Sequence, residues 1–315
     1  MTATTAALIA ASAVLGLLAT GAFIQLAHRV GWGKVVRSDG PESHRPKHGT
    51  PTMGGAAFVL VALAAAWTTG PRDGDLLALG LLLLAAALLG LGDDAVALAR
   101  KRATRLGEDA PSVSAATGLF ARWRLLGQTT YALAFAAYAV QGGHGPLGIA
   151  WLDVPFLALV IVGSVNAFNF TDGLDGLAAG TTAIVLLLFL GNPMAAALFG
   201  ALLGFLWYNA HTARVFMGGV GAEGLGAAVA GLAILGGAVW WLPLVALLPV
   251  LEVVSVIVQV VYFRATGGKR LLRMAPFHHH LELSGWPEPR VVLRFWLVTG
   301  ILVALAIALG AGPTA

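Results

Sequence analysis

Long apolar runs broken by short polar segments dominate the chain. Leu76 to Gly92 holds no charged residue. Stretches of this kind recur about ten times, each near the roughly 20 residues that a helix needs to cross a hydrocarbon core. They predict helices at about 4–27, 52–69, 76–95, 123–141, 152–168, 176–191, 193–210, 224–241, 242–263 and 291–311. The sixth and seventh are parted only by Gly191-Asn192-Pro193, and the eighth and ninth only around Trp241-Leu242-Pro243. The pattern predicts an all-α integral membrane protein forming a single domain over residues 1–315, without internal repeats.

Composition sharpens this. Of 315 residues 58% are hydrophobic and 11% charged, against about 25% charged in soluble domains, and the mean hydropathy is +0.84. The lipid bilayer is therefore the first partner, and nothing in the pattern calls for nucleic acid. With no cysteine, disulfides, thiol nucleophiles and cysteine metal sites are excluded. The first apolar run lacks a preceding basic residue and is followed by Arg29, Lys34 and Arg37, which fits a retained helix with its N-terminus outside better than a cleaved leader.

Charge orients the helices. Of the 19 Lys and Arg, every one except Arg72 falls on the connections at about 28–51, 96–122, 169–175, 211–223 and 264–290 or on the helix ends beside them. That bias predicts ten crossings, both termini outside, and the polar chemistry on the cytoplasmic face. The outer connections are short and nearly bare, which argues against a transporter or channel. Glu252 lies well within a predicted span and Gln259 near its inner end; interhelical hydrogen bonding and function explain them equally well. Gly accounts for 41 residues and suits close helix packing, leaving room for a homodimer.

The densest polar interruption is Asn166-Ala167-Phe168-Asn169-Phe170-Thr171-Asp172-Gly173-Leu174-Asp175-Gly176. On a helix, Asp172 and Asp175 would share a face; capping by Thr171 or Asp172 is the alternative. Asp93 and Asp94, at the end of the third predicted helix, are adjacent carboxylates without a basic neighbour. A divalent cation is their natural relief, and oxygen-only ligation favours Mg2+; an interfacial pair left to solvent is the alternative. The loop Ser38–Gly55 is basic and rich in Gly and Thr, suiting an anion or lipid head groups. Arg100-Lys101-Arg102 and Arg122-Trp123-Arg124 suit a phosphate or simply enforce orientation. Val215-Phe216-Met217-Gly218-Gly219-Val220-Gly221 offers an aromatic beside a flexible backbone, for a stacked base or for core packing. His278-His279-His280 invites a zinc reading, but consecutive side chains do not converge on one side of regular structure, so hydrogen bonding to a substrate is preferred.

Taken in order, Ser38–Gly55, Asp93-Asp94, Asn166–Gly176, Val215–Gly221 and Met274–His280 running into Gly285-Trp286-Pro287-Glu288-Pro289 resemble the phospho-N-acetylmuramoyl-pentapeptide transferases, of the polyprenyl-phosphate N-acetylhexosamine-1-phosphate transferase superfamily. The ordered set covers almost the whole chain. The resemblance implies a multi-pass enzyme of the bacterial cytoplasmic membrane in peptidoglycan synthesis. Undecaprenyl phosphate attacks the diphosphate of UDP-N-acetylmuramoyl-pentapeptide, releasing UMP and forming lipid I, with Mg2+ offsetting diphosphate charge. It implies that Asp93 deprotonates the lipid phosphate or acts as nucleophile beside Asp94, and that both hold the metal. Asn169, Asp172 and Asp175 would line the nucleotide-sugar site and Phe216 would stack near uracil. Lys47, Thr52, Asn209, Gln259, His278, His279 and His280 would hold the substrate's polar groups.

The sequence departs from the family pattern at three positions. Gly219 stands where an Asp normally binds the metal, and Ala95 and Ala97 stand where Tyr and Lys normally follow the Asp pair. The connection from Ala103 to Thr117 is also longer. Glu223, four residues beyond Gly219, would occupy the same face if a helix starts there, making it a candidate substitute ligand. These departures define a second reading, a protein that binds nucleotide-sugar or polyprenyl phosphate with weak or no turnover.

Overall fold

The computed structural model describes residues 2–30, 32, 49–105 and 121–311, without the side chains of 101–105. All regular elements among them are helical: α1 Ala3–Val30, α2 Gly55–Thr69, α3 Gly74–Arg105, α4 Ala121–Gln141, α5 Ala150–Thr171, α6 Leu177–Leu186, α7 Pro193–Asn209, α8 Gly218–Leu235, α9 Leu242–Val245, α10 Leu247–Ala265, α11 Phe277–Leu283 and α12 Glu288–Ala308. Six of these (α1, α3, α5, α8, α10 and α12) are long and apolar enough to cross a membrane.

Each predicted run falls on a helix, but several boundaries differ for identifiable reasons. The Gly191-Asn192-Pro193 break holds because Asn192 caps α7, accepting from Met194 N at 2.9 Å, with Pro193 at the first helical position. The break expected at Trp241–Pro243 does not occur there. A 3-10 turn at Val239–Trp241 runs straight into α9, and the chain bends at Gly236–Ala238 and again at Ala246. Helix α3 does not end at Asp93–Asp94 but continues to Arg105, since Ala95–Arg105 contains good helix formers and no breaker. Helix α8 starts six residues earlier than expected, so Gly219 and Glu223 lie one turn apart on one helix. The short α11 is an addition and carries the His triplet.

Helix α8 is the centre of the bundle. Its Gly- and Ala-rich sequence is buried almost throughout, packed against α3, α5 and α2. Small residues on every side let these backbones approach. The tightest crossings prove the point: a Cβ at Gly90 of α3 would collide with the Gly219 backbone, and one at Gly204 of α7 with the Leu17 and Ala13 backbone of α1.

The outer surface is apolar. Helix α10 exposes Val254, Ile257, Val258, Val261 and Phe263, and α12 exposes Leu293, Leu297, Ile301 and Leu305. Trp151 and Trp207, each 76% exposed, stand at opposite ends of the bundle. Apolar flanks ended by tryptophans are the signature of a bilayer-embedded body.

Candidate active site

Asp93 and Asp94 sit on the last part of α3, where it passes the N-terminus of α8. Asp94 Oδ2 accepts from Val220 N at 3.4 Å. The helix N-terminus, with its unsatisfied N–H groups, is a favourable place for a carboxylate. Gly219 supplies no acid, and its Cβ position is 3.5 Å from Asp94 Oδ1, so a side chain there would point into the same site.

Arg124, on the first turn of α4, ties the site together. Its Nε lies 3.0 Å from Glu223 Oε1 and its Nη1 3.8 Å from Asp93 Oδ2. Its Nη2 donates to Asn169 Oδ1 at 3.0 Å and Asn166 Oδ1 at 3.4 Å. Gln128, one turn on, donates to Glu223 Oε2 at 3.3 Å and accepts from Asn166 Nδ2 at 2.9 Å. One guanidinium thus joins α3, α5 and α8. The sequence reading missed this role. The available signal was Arg124 and Gln128 four apart on one face of an otherwise apolar helix. Glu223 is fully buried; its Oε2 accepts from Gln128 and its Oε1 is ion-paired with Arg124 without a hydrogen bond.

The acidic turn behaves differently from its helical expectation. Helix α5 ends at Thr171 and α6 begins at Leu177, so Asp172 and Asp175 lie in the intervening turn and not on a shared helix face. Neither caps α6, whose N-cap is Gly176 at φ 76°. Asp175 is buried: its Oδ2 accepts from Ala213 N at 3.0 Å and lies 3.4 Å from His211 Nδ1, while its N donates to Glu288 Oε1 at 2.6 Å. Asp175, His211 and Glu288 bring three ligand-type atoms within 4.8 Å of one another.

The His triplet diverges, as consecutive side chains should. Buried His278 faces Glu252, with Nδ1 3.0 Å from Oε2, and donates its backbone N to the same carboxylate at 3.2 Å. Its ring also lies against Gly173 of the acidic turn. His279 pairs with Glu282 at 2.8 Å, and His280 Nδ1 accepts from Arg273 N at 3.2 Å. Glu252 is therefore the interhelical hydrogen-bonding group that seats α11.

Other expected ligands brace loops. Asn209 Nδ2 donates to Val215 O at 2.9 Å, and Gln259 Oε1 accepts from Leu271 N and Leu272 N at 3.1 and 2.9 Å. Two motif segments are stitched together: Phe216 N donates to Pro51 O at 2.8 Å and Gly54 N to Phe216 O at 2.9 Å. This sets half-buried Thr52 near half-buried Phe216. Lys47 lies outside the described residues. An apolar cavity of about 350 Å3 runs between α5 and α9–α10, lined by Phe156, Val160, Trp240 and Val250 and reaching Ala167 and Phe168, neighbours of Asn166 and Asn169.

The donor set suits Mg2+ in minimal form. Asp93 and Asp94 supply carboxylate oxygens on one turn with no side chain at Gly219. One or two carboxylates plus substrate phosphates are the usual protein share of an Mg2+ site. The Asp175 cluster includes an imidazole, which favours a transition metal over Mg2+.

Comparison with known proteins agrees with the motifs. Residues 76–237 match the family described as Glycosyl transferase family 4. A Deinococcus radiodurans protein is 43% identical over 307 residues, covering 93% of this chain and 96% of its own. A Synechococcus protein is 45% identical over 294 residues, with 87% and 83% covered, and one from Desulfotalea psychrophila is 40% identical over 324 residues, with 91% and 87% covered. All three are named phospho-N-acetylmuramoyl-pentapeptide-transferase.

Proposed function

Because the chain belongs to the phospho-N-acetylmuramoyl-pentapeptide-transferase family, we propose that it moves phospho-N-acetylmuramoyl-pentapeptide from its UDP conjugate to undecaprenyl phosphate. A lipid phosphate oxygen bonds to the sugar-bearing phosphorus, the bond from that phosphorus to the bridging oxygen breaks, and UMP leaves with lipid I as the other product. This is a step of peptidoglycan synthesis in a multi-pass bacterial membrane protein. The observation that carries the reading is the Arg124 network, which places the Asp93 carboxylate and the Asn166–Asn169 end of α5 around one cation.

In this reading Asp93 takes the proton of the lipid phosphate or attacks phosphorus itself, and Asp94 is held beside it at the α8 N-terminus. Asp93 and Asp94 would hold Mg2+, which supplies charge compensation to the diphosphate. Asn169 and Asp172 face the nucleotide-sugar, and Asp175 acts from behind, holding the His211–Ala213 segment by its contacts with Ala213 N and His211. Asn209 positions Phe216 for the uracil through the Val215 carbonyl. Thr52 and Lys47 meet the substrate from the first loop, and His278, His279 and His280 from the last, whose base Gln259 braces. The apolar cavity beside Ala167 and Phe168 supports an isoprenoid chain approaching from the bilayer. The charge bias supports ten crossings, both termini outside, the site on the cytoplasmic face of the inner membrane and one domain over 1–315. Close-packing glycines leave a homodimer open to test by sedimentation in detergent.

The test is UMP release by the purified protein from UDP-N-acetylmuramoyl-pentapeptide, undecaprenyl phosphate and Mg2+. Gly219 favours the second reading, a binding protein with little turnover. Nucleotide-sugar binding with no UMP release would establish that reading and reject the first.

A further inference from the structure

Helix α10 leans out of the bundle toward its C-terminus. Its buried residues are Leu248, Pro249 and Glu252 near the start, whereas Ile257, Val258, Val261 and Phe263 are exposed. Beyond it the chain reverses through Gly267 and Gly268, at φ 67° and 112°, and Gly268 N donates to Phe263 O at 2.9 Å. Residues 270–275 return alongside the helix, pinned where Gln259 Oε1 accepts from Leu271 N and Leu272 N. Between helix and returning chain lies a preformed groove of about 520 Å3, lined by Val256, Val260, Phe263, Arg264, Arg270 and Met274 among others.

The groove holds cations without acids. Among the described residues neither Arg264 nor Arg270 has an ion-pair partner; Arg270 makes only a long bond to Arg273 O, at 3.5 Å. No carboxylate lines the groove, and the nearby Glu252 and Glu282 face His278 and His279. Val256, Val260 and Phe263, spaced four and three apart, form one apolar stripe on a helix long and apolar enough to span a membrane. From Val256 to Arg264 that helix rises about 12 Å. A soluble anion would meet the guanidiniums and leave the stripe bare. A lipid with an anionic head covers both, its phosphate on the guanidiniums and its chain on the stripe.

We propose that this groove binds one anionic phospholipid of the surrounding bilayer, with the phosphate held by Arg264 and Arg270 and an acyl chain along Val256, Val260 and Phe263. The groove shares no lining residue with the apolar cavity beside Ala167 and Phe168, and the lipid site does not depend on the proposed transfer. The bound lipid covers the 266–275 turn, the base from which α11 and its His triplet start.

The test places the full chain in nanodiscs of phosphatidylcholine containing phosphatidylglycerol and reads retained lipid by native mass spectrometry. Each cation near a membrane surface strengthens the hold on an anionic lipid about fivefold. Arg264→Gln/Arg270→Gln should therefore weaken phosphatidylglycerol binding about 25-fold and leave phosphatidylcholine unchanged. Arg29→Gln removes an exposed cation at the end of α1, on the same proposed cytoplasmic face, and should change binding less than about twofold. Phe263→Ala keeps both cations and should weaken binding about fivefold. Amides of 266–275 should exchange hydrogen more slowly with phosphatidylglycerol than with phosphatidylcholine alone, and the double variant should lose that difference. Equal retention by parent and double variant overturns the proposal, as does an equal loss in Arg29→Gln, which would show only diffuse attraction. Displacement of phosphatidylglycerol by inorganic phosphate overturns it in favour of a bare anion site. Displacement by undecaprenyl phosphate, with a raised KM for that lipid in the double variant, gives the groove to the substrate instead.

Discussion

Gly219→Asp restores the acid that the family pattern places on α8. The new Cβ would lie 3.5 Å from Asp94 Oδ1, 3.1 Å from Gly90 O and 3.3 Å from Gly90 Cα. The carboxylate therefore projects beside Asp94 once the Gly90 backbone yields by a few tenths of an ångström, an overpacking cost of about 1 kcal/mol. That strain is present with or without metal, so it lowers thermal stability without lowering cation affinity. Two unit charges about 4 Å apart interact by about 1 kcal/mol in water and about 4 kcal/mol at an effective dielectric of 20. Asp93 is only 22% exposed, so the lower figure is a floor. Doubled for a divalent ion, it gives about 2 kcal/mol, or about 30-fold in affinity. The assay is UMP release across an Mg2+ titration at saturating substrates, paired with melting curves with and without Mg2+. The half-saturating Mg2+ should fall by about 30-fold or more, and the metal-free protein should melt earlier because a third acid now repels Asp94. A half-saturating concentration that stays put or rises would refute the assignment of Gly219 as the vacant ligand position.

Three further outcomes are expected. Asp93→Asn should abolish UMP release while leaving the melting temperature close to the parent, since the side chain is partly exposed; retained turnover would remove Asp93 from its role. Glu252→Ala strands the His278 N–H groups and should destabilise the fold by about 2–4 kcal/mol, read by thermal melting in detergent, with Glu252→Gln recovering most of it. Gly204→Val drives a side chain into the α1 backbone and should sharply reduce the yield of folded protein on size-exclusion chromatography, whereas Leu297→Ile, on the lipid-facing side of α12, should not.

The chemistry-bearing segments were visible in the sequence because each is a local motif: the Asp93-Asp94 pair, the acidic turn, the loop before Gly219 and the His triplet. Their secondary structure was less so. Asp93–Asp94 looked like a helix end because hydropathy drops there, yet backbone hydrogen bonding continues wherever side chains allow a helix, and α3 runs on to Arg105. Asp172 and Asp175 looked helical by spacing, but Gly173 and Gly176 turn the chain between α5 and α6, and Gly176 does so in the left-handed region.

By itself the sequence determined that this is a helical membrane protein, where its apolar runs lie and which side its basic residues favour. Those properties follow from transferring each segment between water and lipid, which depends on the segment alone. Its ordered motifs also determined the family. Tertiary structure alone decided which polar groups meet. Gln128 and Glu223 are 95 residues apart, and Asp175 and Glu288 are 113 apart. Their pairing depends on how each helix is rotated against its neighbours, and close Gly crossings such as Gly90 against Gly219 set that rotation. The same packing brings Glu223 of α8 against Arg124 of α4, 99 residues away in sequence, because a carboxylate enclosed in the bundle is stabilised by a neighbouring cation.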